Sequence, residues 1–323
     1  MSEALARGWL VAWIVWSAVP FGALVLAMIH AVTGGRWGGT LAPVLRPATA
    51  LVPLAAIAFL GVAAGLTADY PWASGLGAAK PDVKPDVLRL YLSPSLFLLR
   101  AGIALAGWSV LAVLCLTGRM SRLAAGLGLS FYGLTISLVA VDWILSVEPG
   151  FNASAFAVGV AFHQILAALA FAALASPASL DARGASDLAN LILASLLGIL
   201  YMALMSFVVV WYGDLPAKAA WYLKRGEALW SGVLVAALVG GGVVPFAMLL
   251  FARVRRSPAA LRAVGLLVLA GIALHLAWTV LPAYGEAAGA AAGFAALGLA
   301  VLIGLSAMAL RLLGSRMRRL AHA

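Results

Sequence analysis

The chain alternates between apolar runs of about 20 residues and short segments rich in proline, glycine and arginine. A run of that length is what a helix needs to cross the hydrocarbon core of a bilayer. Lipid offers no water to backbone polar groups, so such runs form helices, whose hydrogen bonds are internal. The pattern predicts an all-α polytopic transmembrane bundle with nine spans, at residues 9–32, 44–66, 95–117, 123–147, 152–175, 188–212, 228–251, 259–282 and 290–313.

Two of the predicted loops are longer than the others, at residues 67–94 and 213–227. Both mix tryptophan and tyrosine with charged residues, which is typical of segments at a membrane surface. Neither is large enough to form a soluble catalytic domain. We therefore predict that residues 1–323 form a single integral membrane domain.

An odd number of spans places the two termini on opposite sides of the membrane. Basic residues collect in cytoplasmic loops, so the arginine-rich side is predicted to be cytoplasmic, with the N-terminus outside and the C-terminus inside. This arginine-rich side holds thirteen of the 21 basic residues, namely Arg36, Arg46, Arg119, Arg122, Arg183, Arg253, Arg255, Arg256, Arg262, Arg311, Arg316, Arg318 and Arg319.

Composition excludes a soluble fold. Hydrophobic residues make up 65% of the chain and charged residues 10%, with a mean hydropathy of +1.08, whereas a soluble domain has about 25% charged residues. The net charge of +10 reflects membrane topology and does not indicate nucleic-acid binding. The single cysteine, Cys115, lies in an apolar run and excludes a disulfide or a metal site built from cysteines.

Three ionisable side chains fall close together in a chain where charged residues are scarce. Asp142 lies near the end of the fourth span, Glu148 lies in the next turn, and His163 lies about 16 Å along the fifth span. A charge at membrane depth is costly, so such residues mark ion pathways or have a compensating partner. Asp142 shares a helix face with Ser146. Arg100, predicted at a similar depth, is the candidate partner of Asp142 in a purely structural ion pair.

His163 and the adjacent Gln164 form a polar patch in an apolar helix. A neutral imidazole there can bind a ligand or relay a proton, or it can be a core histidine whose hydrogen bonds are satisfied. A b-type haem requires a second histidine at matching depth, and His275 is the only plausible one. Haem-binding membrane cytochromes usually carry two such pairs, so we do not expect haem. No covalently bound cofactor and no metal site is expected.

Four residues are candidates for the outer face or for an interface. Glu148 is predicted to face water at the turn, Asp69 and Trp72 follow the second span, and Asp214 follows the sixth. They can line the mouth of a pocket or dock an outer subunit. They can equally be anchors at the membrane surface, a common role of tryptophan and of its polar neighbours.

Six segments, in order along the chain, resemble the ActF-type membrane subunit of bacterial alternative complex III, a quinol oxidoreductase. The strongest is DWILSVEPGFNASAFAVG, residues 142–159, which resembles the family's DW-x-MSLEP-x-W-x-ST-x-FG stretch. Two departures stand out: Ala217 and Lys218 replace an acidic pair, and His275 replaces an aspartate that the family often has. The other five similar segments are residues 32–46, 91–103, 205–225, 243–258 and 275–282.

The resemblance implies a subunit of a respiratory quinol:acceptor oxidoreductase in the bacterial inner membrane, with a four-helix-bundle core like that of NrfD/PsrC subunits. Its partners would be an iron–sulfur protein, a multihaem cytochrome c and an NrfD-like sister subunit. This chain would contribute a quinone environment, a proton path or a membrane scaffold. The candidates for quinone binding or proton transfer are Asp142, His163, His275, Ser146, Gln164 and Arg100.

Two other functions remain open from the residues alone. Asp142 and His163 can couple proton movement to transport of a substrate, although the inverted repeats or paired broken helices of many transporters are not evident. The chain can also be a non-catalytic assembly subunit of a membrane complex.

Overall fold

The computed structural model describes residues 2–74, 86–87, 91–151, 153–177, 180–213 and 215–321. Within these ranges every regular element is a helix and no strand occurs. The α-helices are α1 (Glu3–Thr33), α2 (Arg36–Thr49), α3 (Val52–Ala64), α4 (Leu66–Asp69), α5 (Pro94–Leu116), α6 (Arg122–Trp143), α7 (Phe156–Leu174), α8 (Ala182–Tyr212), α9 (Pro216–Leu223), α10 (Ala228–Val235), α11 (Val244–Leu250), α12 (Ala252–Arg255), α13 (Pro258–Val280) and α14 (Ala288–Ala321).

The described ranges contain eight helical stretches that are long and apolar enough to cross a membrane. The last one, Pro258–Leu312, has 55 residues, which as a straight helix would be about 80 Å long and more than twice the hydrocarbon thickness. It kinks at Gly285, whose φ of 57° lies in the left-handed region that favours glycine. Divided there, it supplies two spans, and the predicted all-α polytopic membrane bundle is confirmed.

The first helix, α1, lies at the centre of the bundle. In its most apolar window 83% of the residues are buried, and it contacts α2, α3, α5, α6, α7, α13 and α14. Three tryptophan indoles of α1 donate hydrogen bonds to neighbouring helices: Trp9 to the carbonyl of Ala58 (3.0 Å), Trp13 to that of Ala55 (2.9 Å), and Trp16 to the Ser306 hydroxyl. Buried indole N–H groups need such acceptors, so these bonds fix α1 against α3 and α14.

The second span begins earlier than the sequence predicts. Gly34 and Gly35 have φ angles of 72° and 100° and turn the chain directly after α1. Helix α2 therefore starts at Arg36 and continues, after an interruption at residues 50–51, into α3. The predicted loop at residues 213–227 likewise contains a helix, α9, while much of the predicted loop at 67–94 lies outside the described residues.

A π-helical segment, Ala236–Val243, joins α10 to α11 and crosses α13 closely. The crossing uses two glycines: a Cβ added to Gly271 would lie 2.4 Å from the Cα of Gly241, and one added to Gly241 would lie 2.3 Å from the Cα of Gly271. Small residues allow such close approach of membrane helices. Gly271 lies one turn before His275, so this contact also sets the position of a candidate site residue.

We expect Gly271→Ala to destabilise the protein by about 1–3 kcal/mol, because the added methyl forces two backbones apart. Gly240→Ala is the matched control: it lies in the same π-helical segment, and its Cβ would meet nothing within 4 Å. Thermal unfolding of the purified protein in detergent measures both. Equal midpoints for the two variants would contradict a tight crossing.

Candidate functional site

Two histidines from neighbouring helices are stacked in the interior. His163 on α7 and His275 on α13 have ring centroids 4.9 Å apart and ring planes 9° from parallel. His163 Nδ1 lies 2.7 Å from the carbonyl oxygen of Gly159. A carbonyl can only accept, so Nδ1 carries the proton and Nε2 presents a lone pair. His275 Nδ1 is buried and has no hydrogen-bond partner among the described residues.

Both histidines line a cavity of about 580 Å³ between α7, α8, α9, α13 and the helical stretch 228–250. Ligand-binding pockets usually measure about 300–1,000 Å³ and combine apolar walls with a few polar groups. Within the described part of the chain, the histidines and Arg225 are the ionisable groups of the lining, beside Tyr222. The aromatic walls are formed by Phe151, Phe156, Phe207, Trp221, Tyr222 and Trp278.

Arg225 lines the cavity and is almost completely buried, with 2% exposure. Its guanidinium lies 3.5 Å from the ring centroid of Trp221 and bonds the carboxylate of Glu148. It also donates to the carbonyl oxygens of Trp278 (3.3 Å), Trp221 (3.0 Å) and Thr279 (2.8 Å). These bonds hold α9 against the end of α13 and order one end of the cavity.

Glu148 is therefore the acidic member of an ion-pair cluster that also contains Lys224 and Arg225. It bonds Lys224 Nζ at 2.8 Å as well as Arg225. Burial favours a higher pKa for this carboxyl, but the positive charges of Arg225 and Lys224 hold the pKa of Glu148 below its ordinary value. Glu148 joins the hairpin between α6 and α7 to the segment that follows α9, a link that the sequence does not predict.

Asp142 makes a two-pronged ion pair with Arg100. Its Oδ2 lies 2.6 Å from Arg100 Nε and its Oδ1 lies 3.0 Å from a terminal guanidinium nitrogen. The Asp142 side chain is fully buried, and Arg100 also bonds the carbonyl of Tyr91. Asp142 is not part of the described lining of the 580 Å³ cavity. Of the two roles that the sequence leaves open for Asp142, proton transfer and a structural ion pair with Arg100, this geometry matches the ion pair.

Ser146 and Trp72 connect the hairpin to the end of the second span. The Trp72 indole donates to the Ser146 hydroxyl at 3.2 Å, and that hydroxyl donates to the carbonyl of Asp142. Trp72 is buried among Tyr70 and Phe97. It is thus part of the packed interior and does not line the described part of the cavity.

Gln164 and His163 contact different parts of the bundle. The Gln164 side-chain carbonyl accepts a 2.6 Å hydrogen bond from the Tyr132 hydroxyl on α6, whereas His163 stacks on His275. Successive residues of a helix point about 100° apart. The predicted polar patch is therefore divided: both residues border a void of about 20 Å³, but only His163 lines the large cavity.

Asp69 is a buried carboxyl without a hydrogen-bond partner among the described residues, and the hydroxyl of Tyr284 is in the same situation. Burial raises the pKa of Asp69 to about 8, although the positive charge of Arg7 acts in the opposite direction. Arg7 lies over the Tyr284 ring, 4.9 Å from its centroid, and donates to the carbonyl of Ala68. Asp214, another predicted outer-face acid, lies outside the described residues.

The histidine pair does not fit a haem held between the two rings. In bis-histidine ligation the porphyrin lies between two imidazoles, whose nitrogens approach the iron from opposite faces. His163 and His275 instead face each other with their rings in contact. A porphyrin could enter only if the two helices moved apart.

Comparison with known proteins places the chain in no family. No family model matches it, and no curated protein matches it at a significant level.

Proposed function

We propose that this chain is a membrane subunit of a quinol:acceptor oxidoreductase resembling alternative complex III, and that the 580 Å³ cavity holds the quinone ring. The observation that carries the proposal is the stacked histidine pair in the wall of an aromatic cavity. A quinone is flat and apolar, with two polar oxygens at its edges. Aromatic walls and a few polar groups match those features.

The histidines supply the proton chemistry. Oxidation of a quinol releases two electrons and two protons. His163 Nε2 presents a lone pair and accepts one hydroxyl proton, while the electrons pass to a redox centre in a partner subunit. A second imidazolium at 4.9 Å from the first is disfavoured by repulsion. The pair therefore takes up one proton at a time and passes it on before the next.

The proposed setting is the bacterial inner membrane, with the N-terminus outside and the arginine-rich side in the cytoplasm. The proposed partners are an iron–sulfur protein, a multihaem cytochrome c and an NrfD-like sister subunit. Glu148, Lys224 and Arg225 lie together at the end of the bundle away from the arginine-rich side. That end carries the cavity and would face the redox subunits.

The test is purification with native partners, followed by quinol:cytochrome c activity, quinone content and haem spectra. We expect His163→Leu to lower quinol oxidation about a hundredfold or more, because it removes the proton acceptor, and to lower bound quinone. Tyr132→Phe is the control, since it removes a buried polar group that bonds Gln164 and does not line the described cavity. It should retain turnover.

Three results would contradict the proposal. Purification of the chain alone, without cytochrome or quinone, would remove the support for a redox complex. Unchanged turnover in His163→Leu within an intact complex would indicate an assembly subunit. Proton-driven uptake of a solute into vesicles by the isolated chain would indicate a transporter.

A further inference from the structure

A second cavity, of about 280 Å³, lies at the arginine-rich end of the bundle. It is enclosed by the last turns of α1, by α2 and by the end of α5 with the turn that follows. These are the ends of membrane spans, so the cavity lies at the boundary between hydrocarbon and water. Its lining does not include His163 or His275.

The cavity combines a cation with apolar walls. Arg46 and His30 are its basic lining residues, and no acidic residue lines it among the residues that the structure describes. The half-buried Trp37 packs edge-on against His30, with ring centroids 5.2 Å apart. The apolar part of the wall consists of Leu26, Ala27, Ala31, Ala42, Leu45, Cys115, Leu116 and Met120.

Arg46 is available to bind an anion. On the same helix, Arg36 is already engaged, with a terminal nitrogen 3.1 Å from Asp187 Oδ2. The Arg46 guanidinium is exposed and has no ion pair or hydrogen bond within the described part of the chain. Arg119 and Arg122 lie within two residues of Met120 in the chain and add positive charge to the segment that borders the cavity.

The combination of a cation and apolar walls favours an amphiphilic ligand over a small ion. A guanidinium binds a phosphodiester through paired charge-assisted hydrogen bonds, and tryptophan favours the headgroup level of a membrane. A hydrated phosphate would leave the leucine, cysteine and methionine walls facing water, which is unfavourable. A phospholipid places its phosphate at Arg46 and its first acyl methylenes against those walls.

We propose that this cavity is a binding site for an anionic phospholipid, with Arg46 binding the phosphodiester group. The volume is about nine times the ~30 Å³ that a water occupies in the liquid. It accommodates the headgroup and the adjoining chain segments, while the rest of the acyl chains lies in the bilayer. Basic pockets between spans on the cytoplasmic side suit this role.

The test uses the delipidated protein in detergent, with phosphatidylglycerol as the probe and phosphatidylcholine of the same acyl chains as the comparison. Native mass spectrometry counts bound lipids, and the thermal midpoint reports binding because a ligand stabilises the state that it binds. We expect Arg46→Gln to weaken phosphatidylglycerol binding about tenfold or more. Arg183→Gln is the control: it removes an exposed cation from the same side without changing the cavity lining.

A second variant fills the cavity without removing charge. Gly39 lines it, and a Cβ on Gly39 would meet nothing within 4 Å. Gly39→Phe therefore meets no clash at its Cβ, and a ring placed against the cavity lining should abolish specific lipid binding. Gly133→Phe, at an equally open glycine on the exposed face of α6, should not.

Three outcomes would overturn the proposal. Equal binding of phosphatidylcholine would remove the role of charge. Unchanged binding in both Arg46→Gln and Gly39→Phe would place the lipid elsewhere. Displacement of the lipid by millimolar inorganic phosphate would indicate a soluble anion as the ligand.

Discussion

Replacement of Arg100 by glutamine is expected to destabilise the protein by about 3–5 kcal/mol, since removal of one partner leaves the other charge buried and unpaired. Asp142 is fully buried, and both of its carboxylate oxygens bond Arg100. Chemical or thermal unfolding in detergent should show the loss as a lower midpoint and a lower yield of folded protein.

The double variant Arg100→Gln, Asp142→Asn should recover most of this loss, because it removes both charges and leaves two groups that can hydrogen-bond. Arg36→Gln is the matched control: it breaks the exposed Arg36–Asp187 pair and should cost no more than about 1 kcal/mol. A double variant as unstable as Arg100→Gln alone would contradict the ion-pair interpretation.

The double variant Arg100→Gln, Asp142→Asn also distinguishes a structural role of Asp142 from a role in proton transfer. If the double variant folds and the assembled complex still oxidises quinol, the carboxyl is a structural group and the histidine pair carries the proton chemistry. If the folded double variant has lost turnover, Asp142 belongs to the proton path despite its bonds to Arg100. The geometry favours the first result.

The spans are predictable from the sequence because burial in lipid and burial in protein both require apolar side chains. For the same reason, the position of each span in the bundle is not predictable. The windows of α1 and α8 have similar hydropathies of 2.1 and 2.4, yet 83% of the first and 22% of the second are buried. Lipid is as apolar as a protein core. Only the row of Trp9, Trp13 and Trp16 along α1, whose N–H groups need protein acceptors, distinguishes the central helix.

The candidate site is predictable only in part. Matching depth pairs His163 with His275, and the structure brings them into contact. Arg225 belongs to a predicted outer loop, and nothing local to its sequence shows that it is buried and bonded to Glu148. Its burial depends on the folding of α9 onto α13. The aromatic wall likewise draws on elements far apart in the chain, so no single segment shows the cavity.

We expect the wild-type protein to lose about 1.4 kcal/mol of stability per pH unit, relative to Asp69→Asn, as pH rises from about 4 to about 8. The pKa of Asp69 is raised from 3.8 to about 8 by burial. Between these values the unfolded chain has released the proton and the folded protein has kept it. The stabilising contribution of the protonated Asp69 carboxyl is therefore fully present below about pH 4 and is lost progressively as pH rises. Above about pH 8 the loss is complete, and the stability difference no longer changes with pH.

Asp69→Asn is the appropriate reference because its neutral amide cannot ionise. The difference between wild type and variant also cancels the contribution of Glu148, whose lowered pKa acts in the opposite direction by favouring the folded state above its unfolded pKa. Thermal midpoints in detergent, measured in steps from pH 4 to pH 9, give the slope. If the stability difference between wild type and Asp69→Asn did not depend on pH, Asp69 would be ionised in the folded protein. Its negative charge would then be compensated by a group or an ion close to Arg7 and Tyr284.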